Sequence, residues 1–298
     1  ALESQQLAAV INPMPAWTTF GGQGSASLGV AFAVGDLDDD GLGDVVLGAP
    51  GFDDGEESEG SVQLYPGDGS SFAVAPSWTV TSDEAFAFLG GAVAVPGDLN
   101  GDGVADLAVA AWQADGAHAN EGRVDVYYGS AAGLASSPDL TLFGGQADAA
   151  FGYALAGGDF NGDGISDLAV GAPEWDDLAA DEGAVFWFAG SSSGLSVSPS
   201  GSLLLGQSGE RLGTALASGL DVDGDGDDEL LAGAPSYTGP EQEEGRALLF
   251  AGSPGGLEAT PLWTYESDQP FAHAAQAVAV ASDADGNGLA DVVVGTPN

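Results

Sequence analysis

The sequence contains no cysteine and no lysine, and only three arginines occur among its 298 residues. The lack of cysteine excludes thiol catalysis, zinc–thiolate sites and disulfides. The lack of cations leaves 46 acidic residues almost unopposed, so the formal net charge is −43. Proteins that bind nucleic acid need a basic surface to meet phosphate. Nucleic acid is therefore excluded as a partner.

Long apolar runs are also missing, so no segment predicts a transmembrane helix, and we expect no direct membrane insertion. The N-terminus lacks the basic and then apolar layout of a signal peptide. The composition, 44% hydrophobic with 49 glycines, allows one sizeable core but not a helical one. We expect a nearly all-β chain that forms a single domain over residues 1–298.

An acidic nonapeptide occurs five times in the chain. Its copies begin at Asp36, Asp98, Asp159, Asp221 and Asp283, which are 62, 61, 62 and 62 residues apart. A constant period of this length is typical of repeat architectures. The chain therefore consists of five copies of one unit, and we number the nonapeptides loops 1 to 5.

Each loop predicts a calcium site. Positions 1, 3, 5 and 9 carry oxygen side chains, position 6 is glycine, and the carbonyl of position 7 completes an oxygen cage of the kind that calcium prefers; magnesium demands a stricter octahedron. The predicted ligands are Asp36, Asp38, Asp40, Leu42 and Asp44 in loop 1; Asp98, Asn100, Asp102, Val104 and Asp106 in loop 2; Asp159, Asn161, Asp163, Ile165 and Asp167 in loop 3; Asp221, Asp223, Asp225, Asp227 and Glu229 in loop 4; and Asp283, Asp285, Asn287, Leu289 and Asp291 in loop 5.

The loop resembles an EF-hand only in its first half, because position 12, a bidentate Glu in EF-hands, is apolar in all five copies. An isolated Asp/Gly-rich loop is usually a solvated turn, but five matching copies favour metal. Five calcium ions would reduce the net charge to about −33. Weak sites filled by millimolar calcium are typical of extracellular modules, so we expect a secreted or surface protein. The remaining acidity is compatible with a saline habitat, a basic partner or solubility alone.

Each unit reads as four strands. An apolar strand opening with a hydrophobic–glycine pair precedes the loop, and a buried strand ending in Gly-Ala-Pro or a variant follows it. An acidic segment then leads to a third strand, and a fourth closes the unit. The fourth strands are marked by Trp17, Trp78, Leu140 and Trp263.

This order of Phe-Gly, calcium loop and Gly-Ala-Pro resembles the FG-GAP repeat of integrin α-subunit β-propellers and related bacterial surface proteins. The resemblance covers residues 17–297 and implies four-stranded antiparallel blades around an axis, with calcium between the first two strands. It departs from the seven-bladed integrin propeller in having five loops.

The last unit stops after its second strand, so a closed ring needs other strands. Residues 7–11 and 17–20 have the character of the missing third and fourth strands. A five-bladed ring closed by these N-terminal strands, which would make the chain a monomer, is the economical interpretation. The alternatives are a fragment of a larger, seven-bladed propeller and a chain completed by association.

In an up-and-down blade, the acidic segments lie on the face opposite the calcium loops. On that face Phe52, Trp175 and Tyr237 share one register, and Trp112 replaces a proline two positions earlier. Aromatic rings beside carboxylates suit a protein hot spot or sugar stacking. The candidate ligand residues are Phe52, Trp112, Trp175, Asp176, Asp177, Glu182 and Tyr237. The alternative is that these rings only fill the inner rim of the ring.

Enzyme motifs are weak. The Gly-Ser-Ser-Ser-Gly at residues 190–194 resembles a nucleophile elbow, but equivalent segments show that it is a repeat turn. The two histidines have no triad or zinc spacing. We therefore expect a non-enzymatic adhesion module that binds a protein ligand, with a lectin-like glycan-binding propeller or a structural spacer as alternatives.

Overall fold

The computed structural model describes residues 17–297, and every regular element in that range is a β-strand. Blade 1 contains β1 (Ala31–Gly35), β2 (Asp44–Ala49), β3 (Ser61–Tyr65) and β4 (Trp78–Thr81). Blade 2 contains β5 (Leu89–Gly97), β6 (Asp106–Ala111), β7 (Arg123–Tyr127) and β8 (Leu140–Phe143). Blade 3 contains β9 (Leu155–Gly158), β10 (Asp167–Ala172), β11 (Ala184–Phe188) and β12 (Gly201–Leu203). Blade 4 contains β13 (Ala215–Ala217), β14 (Leu230–Ala234), β15 (Arg246–Phe250) and β16 (Trp263–Glu266), and blade 5 contains β17 (Ala277–Ala281) and β18 (Asp291–Gly295).

Blades 1 to 4 are four-stranded sheets whose strands pair antiparallel in chain order, and the described part of blade 5 is a two-stranded hairpin. The first strands of all five blades line one central cavity of about 320 Å³. Radial repetition of antiparallel sheets around a central channel is a β-propeller. The predicted all-β propeller class is therefore confirmed.

The second strands form the buried centre of each blade. Every residue of β6 and β10 is buried, as the β-branched and Leu/Ala runs predict for strands covered on both faces. Three core clusters join blade 1 to blade 2, blade 2 to blade 3, and blade 3 to blade 4. The core therefore consists mainly of inter-blade layers, and each blade is stabilised by its neighbours.

The hydrophobic–glycine pair was predicted to open the first strand, which is correct only in β5. Elsewhere the pair precedes the strand. Its glycine is left-handed in all four blades, with φ angles of 86°, 84°, 93° and 89° at Gly29, Gly90, Gly152 and Gly213, and β5 includes the pair only across a register shift between Leu89 and Ala92. Isolated parallel bridges tie blade 1 to blade 2, blade 3 to blade 4 and blade 4 to blade 5; they join Gly60 to Leu89, Gly183 to Leu212 and Gly245 to Ala274.

In blades 1 and 3 the glycine of Gly-Ala-Pro lies in close contact with the next blade. A Cβ atom at Gly48 would collide with the carbonyl oxygen of Gly90, and one at Gly171 would collide with that of Gly213. In blade 2 this position is Ala110, and its methyl group lies against Gly152 of blade 3. The backbones of successive blades therefore approach each other at one repeated point.

The predicted closing segments give a mixed result. Residues 7–11 lie outside the described residues, and residues 17–20 adopt no strand conformation. A strand needs a hydrogen-bonded partner. The predicted partner of residues 17–20 is the third strand predicted at residues 7–11. The outward faces of the two end blades are apolar and exposed, with Phe32 68% and Val293 52% accessible. Closure by the N-terminal strands stays a prediction.

Candidate metal loops and acidic face

The five acidic loops connect the first and second strands of their blades, as predicted. In each loop the sixth residue is a glycine with positive φ, and its N–H donates to the carboxylate of the first residue at 2.7–3.1 Å. The backbone N–H of the seventh residue donates to the side-chain oxygen of the fifth residue at 2.7–3.0 Å. The sequence therefore folds each loop into a closed turn with its oxygen side chains turned inward.

Three loops gather acidic oxygens closely enough to hold a metal ion. The groups Asp36/Asp38/Asp40, Asp221/Asp223/Asp225 and Asp283/Asp285/Asp291 each have carboxylate oxygens within 4.8 Å of one another. In the described chain, loops 2 and 3 form no three-acid group of this kind; there Asn100 and Asn161 occupy the third position. The buried Oδ1 atom of Asp38 has no hydrogen-bond partner, which fits an oxygen that ligates a cation.

The ninth residue of each loop anchors the loop to its blade. In loop 2, Asp106 Oδ2 accepts the N–H of Leu99 at 2.7 Å, and Oδ1 accepts the N–H of Gly129 in the turn after the third strand at 2.8 Å. Loops 1, 3 and 4 repeat both bonds with Asp44, Asp167 and Glu229. Each carboxylate oxygen can still offer a second lone pair to a metal.

Burial strongly perturbs three of these anchoring acids. Asp106, Asp167 and Glu229 have no exposed surface. Desolvation, and to a smaller extent the neighbouring loop carboxylates, raise the pKa of each to about 7, although hydrogen bonds from backbone N–H groups act in the opposite direction. A bound cation would favour the charged form of these acids, because it compensates for the lost solvation.

Successive loops are also joined to one another. The eighth-residue N–H of one loop donates to the first-residue carbonyl of the preceding loop: Ser166 to Asp98 at 2.9 Å, Asp228 to Asp159 at 2.9 Å and Ala290 to Asp221 at 3.4 Å. Loops 2 to 5 are therefore joined into one continuous structure at this end of the molecule.

The opposite end is built from the acidic segments after the second strands, residues 52–59, 113–121, 174–182 and 236–244, which we call the acidic face. Connections between blades brace these segments. Gln146 donates to the carbonyl of Asp176 at 2.7 Å and accepts the N–H of Asp176 at 2.8 Å, and Gln23 makes the same pair of bonds with Asp53. The acidic face is therefore an ordered surface and not a set of free loops.

A buried glutamate ends each acidic segment, which the sequence analysis did not single out except for Glu182. Glu59, Glu121, Glu182 and Glu244 are at most 2% exposed. The Oε1 atom of Glu182 accepts the N–H groups of Asp177 and Leu178 at 2.8 and 2.6 Å, so this side chain shapes its own loop. The sequence signal for these glutamates is a Glu-Gly pair directly before the third strand of each of blades 1 to 4.

The predicted aromatic residues lie on four different blades, and in the described chain none of the four rings contacts another. Trp112 is half-buried, stacked on Phe88 at 5.4 Å and edge-on to Tyr153 at 5.6 Å. Trp175 is half-buried and edge-on to Phe186 at 4.9 Å. Each ring is therefore partly packed and partly available, while Asp176 and Asp177 beside Trp175 are exposed.

The remaining two aromatics are also half-buried. The guanidinium of Arg246 lies over the ring of Tyr237, 4.0 Å from the ring centre. Phe52 is the first residue of the acidic segment that follows the second strand of blade 1. Burial, and secondarily the nearby Glu266 carboxylate, raise the pKa of Tyr237. Tyr237 is thereby held in a polar contact that the other three rings lack.

All three arginines are paired with acids. Arg123 Nε donates to Asp125 at 3.0 Å, Arg211 lies 3.3 Å from Glu174, and Arg246 lies 2.6 Å from the fully buried Glu210. Glu210 stands where the other blades have buried alanines, at Ala26, Ala87, Ala149 and Ala272. Because each arginine is paired with an acid of the chain, little positive charge opposes the 46 acidic residues.

Four stretches of the chain match the model of the FG-GAP repeat, at residues 28–65, 90–127, 151–186 and 212–250. Together these stretches cover half of the chain and lie in the first three strands of blades 1 to 4 and the loops between them. The chain belongs to the FG-GAP repeat family. The fifth blade is not among the matched stretches, although its loop has the same ligand positions.

Integrin α subunits are among the similar proteins. Integrin alpha-7 of Rattus norvegicus is 38% identical over 152 residues, which is 50% of this chain and 13% of that protein. Integrin alpha-5 of Xenopus laevis is 31% identical over 234 residues, which is 75% of this chain and 21% of that protein. The FG-GAP chain is thus integrin-like, but it spans only a small part of these relatives.

An enzyme is also similar to the chain. The phosphatidylinositol-glycan-specific phospholipase D of Homo sapiens is 34% identical over 191 residues, which is 58% of this chain and 22% of that protein. FG-GAP repeats therefore occur in proteins of more than one class. A search of residues 17–297 for a helix long and apolar enough to cross a membrane found none.

Proposed function

We propose that this FG-GAP propeller is a calcium-stabilised, non-enzymatic recognition module of an extracellular or cell-surface protein. The observation that carries the proposal is the repeated loop geometry: five loops in the same place, three with acidic oxygens within 4.8 Å. Similarity to integrin α subunits supports the adhesion-type assignment. We infer the extracellular setting from the loop type, because extracellular modules use calcium sites that millimolar calcium fills.

In each loop the cation would be held by the side chains of positions 1, 3, 5 and 9 and the carbonyl of position 7. The donor set is entirely oxygen, which suits a hard cation, and its flexible geometry suits calcium better than magnesium. When bound, the ion supplies positive charge to a group of three or four acids. Its role is structural, because the loops join the blades at this end of the molecule.

We assign ligand recognition to the acidic face. Its rings are half-buried, so their packed portions hold the exposed portions in fixed orientations, and interfaces use such pre-organised aromatic residues as anchors. Around them the exposed carboxylates of Asp176 and Asp177 favour a basic or polar ligand. A protein ligand with a basic anchor fits this surface best.

A glycan ligand is the second candidate, because a half-exposed tryptophan beside carboxylates also suits sugar stacking with hydrogen bonds to hydroxyl groups. The experiment is to probe the purified chain, in calcium, against an array of extracellular-matrix proteins and an array of glycans. The class that binds then serves as the ligand for variants Trp112→Ala and Trp175→Ala.

We expect both variants to weaken binding by about 2 kcal/mol, as for truncated aromatic hot spots, and to keep the melting temperature nearly unchanged. Leu178→Ala is the matched control, since Leu178 lies on the same face and is 78% exposed. Variants that unfold early but bind normally when folded would show that the rings only fill the inter-blade packing.

A further inference from the structure

Loops 2 and 3 carry the same set of predicted calcium ligands. Both have aspartate, asparagine, aspartate and aspartate at positions 1, 3, 5 and 9, and both have glycine at positions 4 and 6. Each loop therefore offers three acidic side chains of its own to a cation. A difference between their affinities for calcium would come from the groups that surround the two loops.

A side chain of the following blade covers each of loops 2 and 4. Ile165, the seventh residue of loop 3, lies against Gly101, the fourth residue of loop 2; a Cβ atom at Gly101 would be 3.2 Å from the Cδ1 atom of Ile165. Leu289 of loop 5 makes the same contact with Gly224 of loop 4, at 3.0 Å. An aliphatic side chain at position 7 thus covers the preceding loop in both cases.

Loop 3 is covered by an acid instead. The seventh residue of loop 4 is Asp227, and a Cβ atom at Gly162, the fourth residue of loop 3, would collide with its Oδ1 atom. Gly162 lies between Asn161 and Asp163, which are both predicted ligands. A fourth carboxylate therefore lies beside loop 3, at the place where loop 2 has the aliphatic chain of Ile165.

The residue after Asp227 holds loop 4 against loop 3. The N–H of Asp228 donates to the carbonyl oxygen of Asp159 at 2.9 Å, and its Oδ2 atom accepts the N–H of Asp159 at 2.9 Å. Asp159 is the first residue of loop 3 and a predicted ligand. The backbone that carries the half-buried Asp227 is therefore fixed relative to loop 3.

The carboxylate of Asp227 has no assigned role in its own loop. Only its backbone carbonyl is a predicted ligand of loop 4, whereas its side chain faces loop 3. A negative charge attracts a divalent cation over several ångströms, and dissolved salt screens this attraction. A carboxylate at this place therefore strengthens calcium binding by its charge, without a direct bond to the ion.

We propose that Asp227 makes loop 3 a tighter calcium site than loop 2. The proposal rests on the calcium binding proposed above, and adds that a residue of one blade sets the affinity of the loop in the preceding blade. It implies an order of filling, because loop 3 is occupied before loop 2 as the calcium concentration rises.

Residue-resolved nuclear magnetic resonance tests this order. The amide signals of Gly103 and Gly164 report loops 2 and 3, because each N–H donates to the first carboxylate of its loop. We expect the calcium midpoint at Gly164 to be at least about fivefold lower than at Gly103 in low-salt buffer. Equal midpoints, or a lower one at Gly103, would overturn the proposal. Signals that calcium shifts in none of the loops would contradict the calcium function itself, and this proposal with it.

The variant Asp227→Asn keeps the shape of the side chain and removes its charge. We expect the midpoint at Gly164 to rise about fivefold and the midpoint at Gly103 to stay unchanged. Asp83→Asn is the matched control, because it removes the same charge from an exposed position outside the loops. An unchanged midpoint at Gly164 in the first variant, or an equal rise in both, would show that the place of Asp227 does not set the affinity.

The reverse change gives loop 2 the same neighbour. Ile165→Asp places a carboxylate against Gly101, and Ile165→Asn is the uncharged control of similar shape. We expect the aspartate variant to bind calcium about fivefold more tightly at Gly103 than the asparagine variant, and this difference to shrink as sodium chloride is added. Equal affinities in the two folded variants at low salt, or a difference that salt leaves unchanged, would contradict a charge effect from the following blade.

Discussion

The indole N–H of Trp17 donates to the carbonyl oxygen of Ala73 at 2.9 Å. One repeat later, Trp78 of β4 donates to Ala135 of the next blade at 2.8 Å. The rings also match, since Trp17 lies edge-on to Tyr65 at 5.1 Å and Trp78 edge-on to Tyr127 at 5.0 Å. Trp17 thus occupies the fourth-strand position of a blade that precedes blade 1.

This relationship supports closure of the ring by the N-terminal segment, because blade 5 is the blade that lacks a fourth strand in the described residues. We predict that Trp17→Ala lowers the free energy of unfolding by about 2 kcal/mol, less than for a fully buried tryptophan. Phe20→Ala is the control, because Phe20 is 86% exposed and should change stability by less than about 0.5 kcal/mol. Urea unfolding measures both values.

Deletion of residues 1–20 tests closure more directly. If these residues supply the outer strands of blade 5, the deletion exposes the edge of β18, and an unpaired edge pairs readily with another chain. We expect the truncated protein to dimerise or aggregate in light-scattering measurements. A stable truncated monomer with an unchanged melting temperature would mean that the ring does not close in this way.

Much of the fold was predictable because each unit repeats the same local signals. The runs at residues 45–47 and 107–109 predicted the second strands, and the third strands follow the acidic segments as expected. What the sequence could not give was the relation between blades. The contact of Gly48 with Gly90, for example, joins residues of different units and leaves no local periodicity.

The candidate sites were predicted unequally for the same reason. The loop acids lie within nine residues of one another, so their spacing revealed the cluster directly. Glu210 pairs with Arg246, 36 residues later, and its burial became visible only when the blades were assembled.

The glycine of the Gly-Ala-Pro motif gives a prediction about packing between blades. Gly171→Ala places a Cβ atom against the carbonyl of Gly213, and overpacking of this kind costs about 2 kcal/mol. Gly43→Ala is the matched control, because its Cβ would meet Val34 at an ordinary 3.5 Å. Thermal unfolding should show a clear loss for the first variant only.

Without metal, stability should fall as the pH rises. The folded-state pKa values of Asp106, Asp167 and Glu229 are about 7, above their unfolded values near 4. Between about pH 4 and 7 the folded state therefore binds more protons than the unfolded state, and its stability decreases through that window. Urea unfolding of the chelated protein at low and neutral pH measures the change.

Repulsion among the many ionised surface acids also lowers stability as the pH rises. Variants must therefore separate this surface effect from the titration of the buried acids. Asp106→Asn should reduce the slope of stability against pH, because the buried position no longer titrates. Asp83→Asn removes an exposed acid and should leave most of the slope in place. Equal slopes in both variants would attribute the pH dependence to surface charge alone.

Calcium removal should destabilise the protein at the loops first. Two carboxylates about 4 Å apart repel each other by roughly 4 kcal/mol at an effective dielectric constant of 20, and each three-acid group contains several such pairs. We expect a chelator in low-salt buffer to lower the melting temperature. An unchanged melting temperature would contradict the structural role proposed for calcium.

Single-loop variants test the ligand assignment. Asp223→Ala removes one oxygen from the Asp221/Asp223/Asp225 group, so calorimetry should register one calcium ion fewer at millimolar calcium. Asp228→Asn is the matched control: Asp228 is the eighth residue of the same loop and is not an assigned ligand, and an asparagine oxygen can keep the 2.9 Å hydrogen bond from the N–H of Asp159. Loss of one ion in the control as well would show that the bound ions respond to local charge and not to the predicted ligand positions.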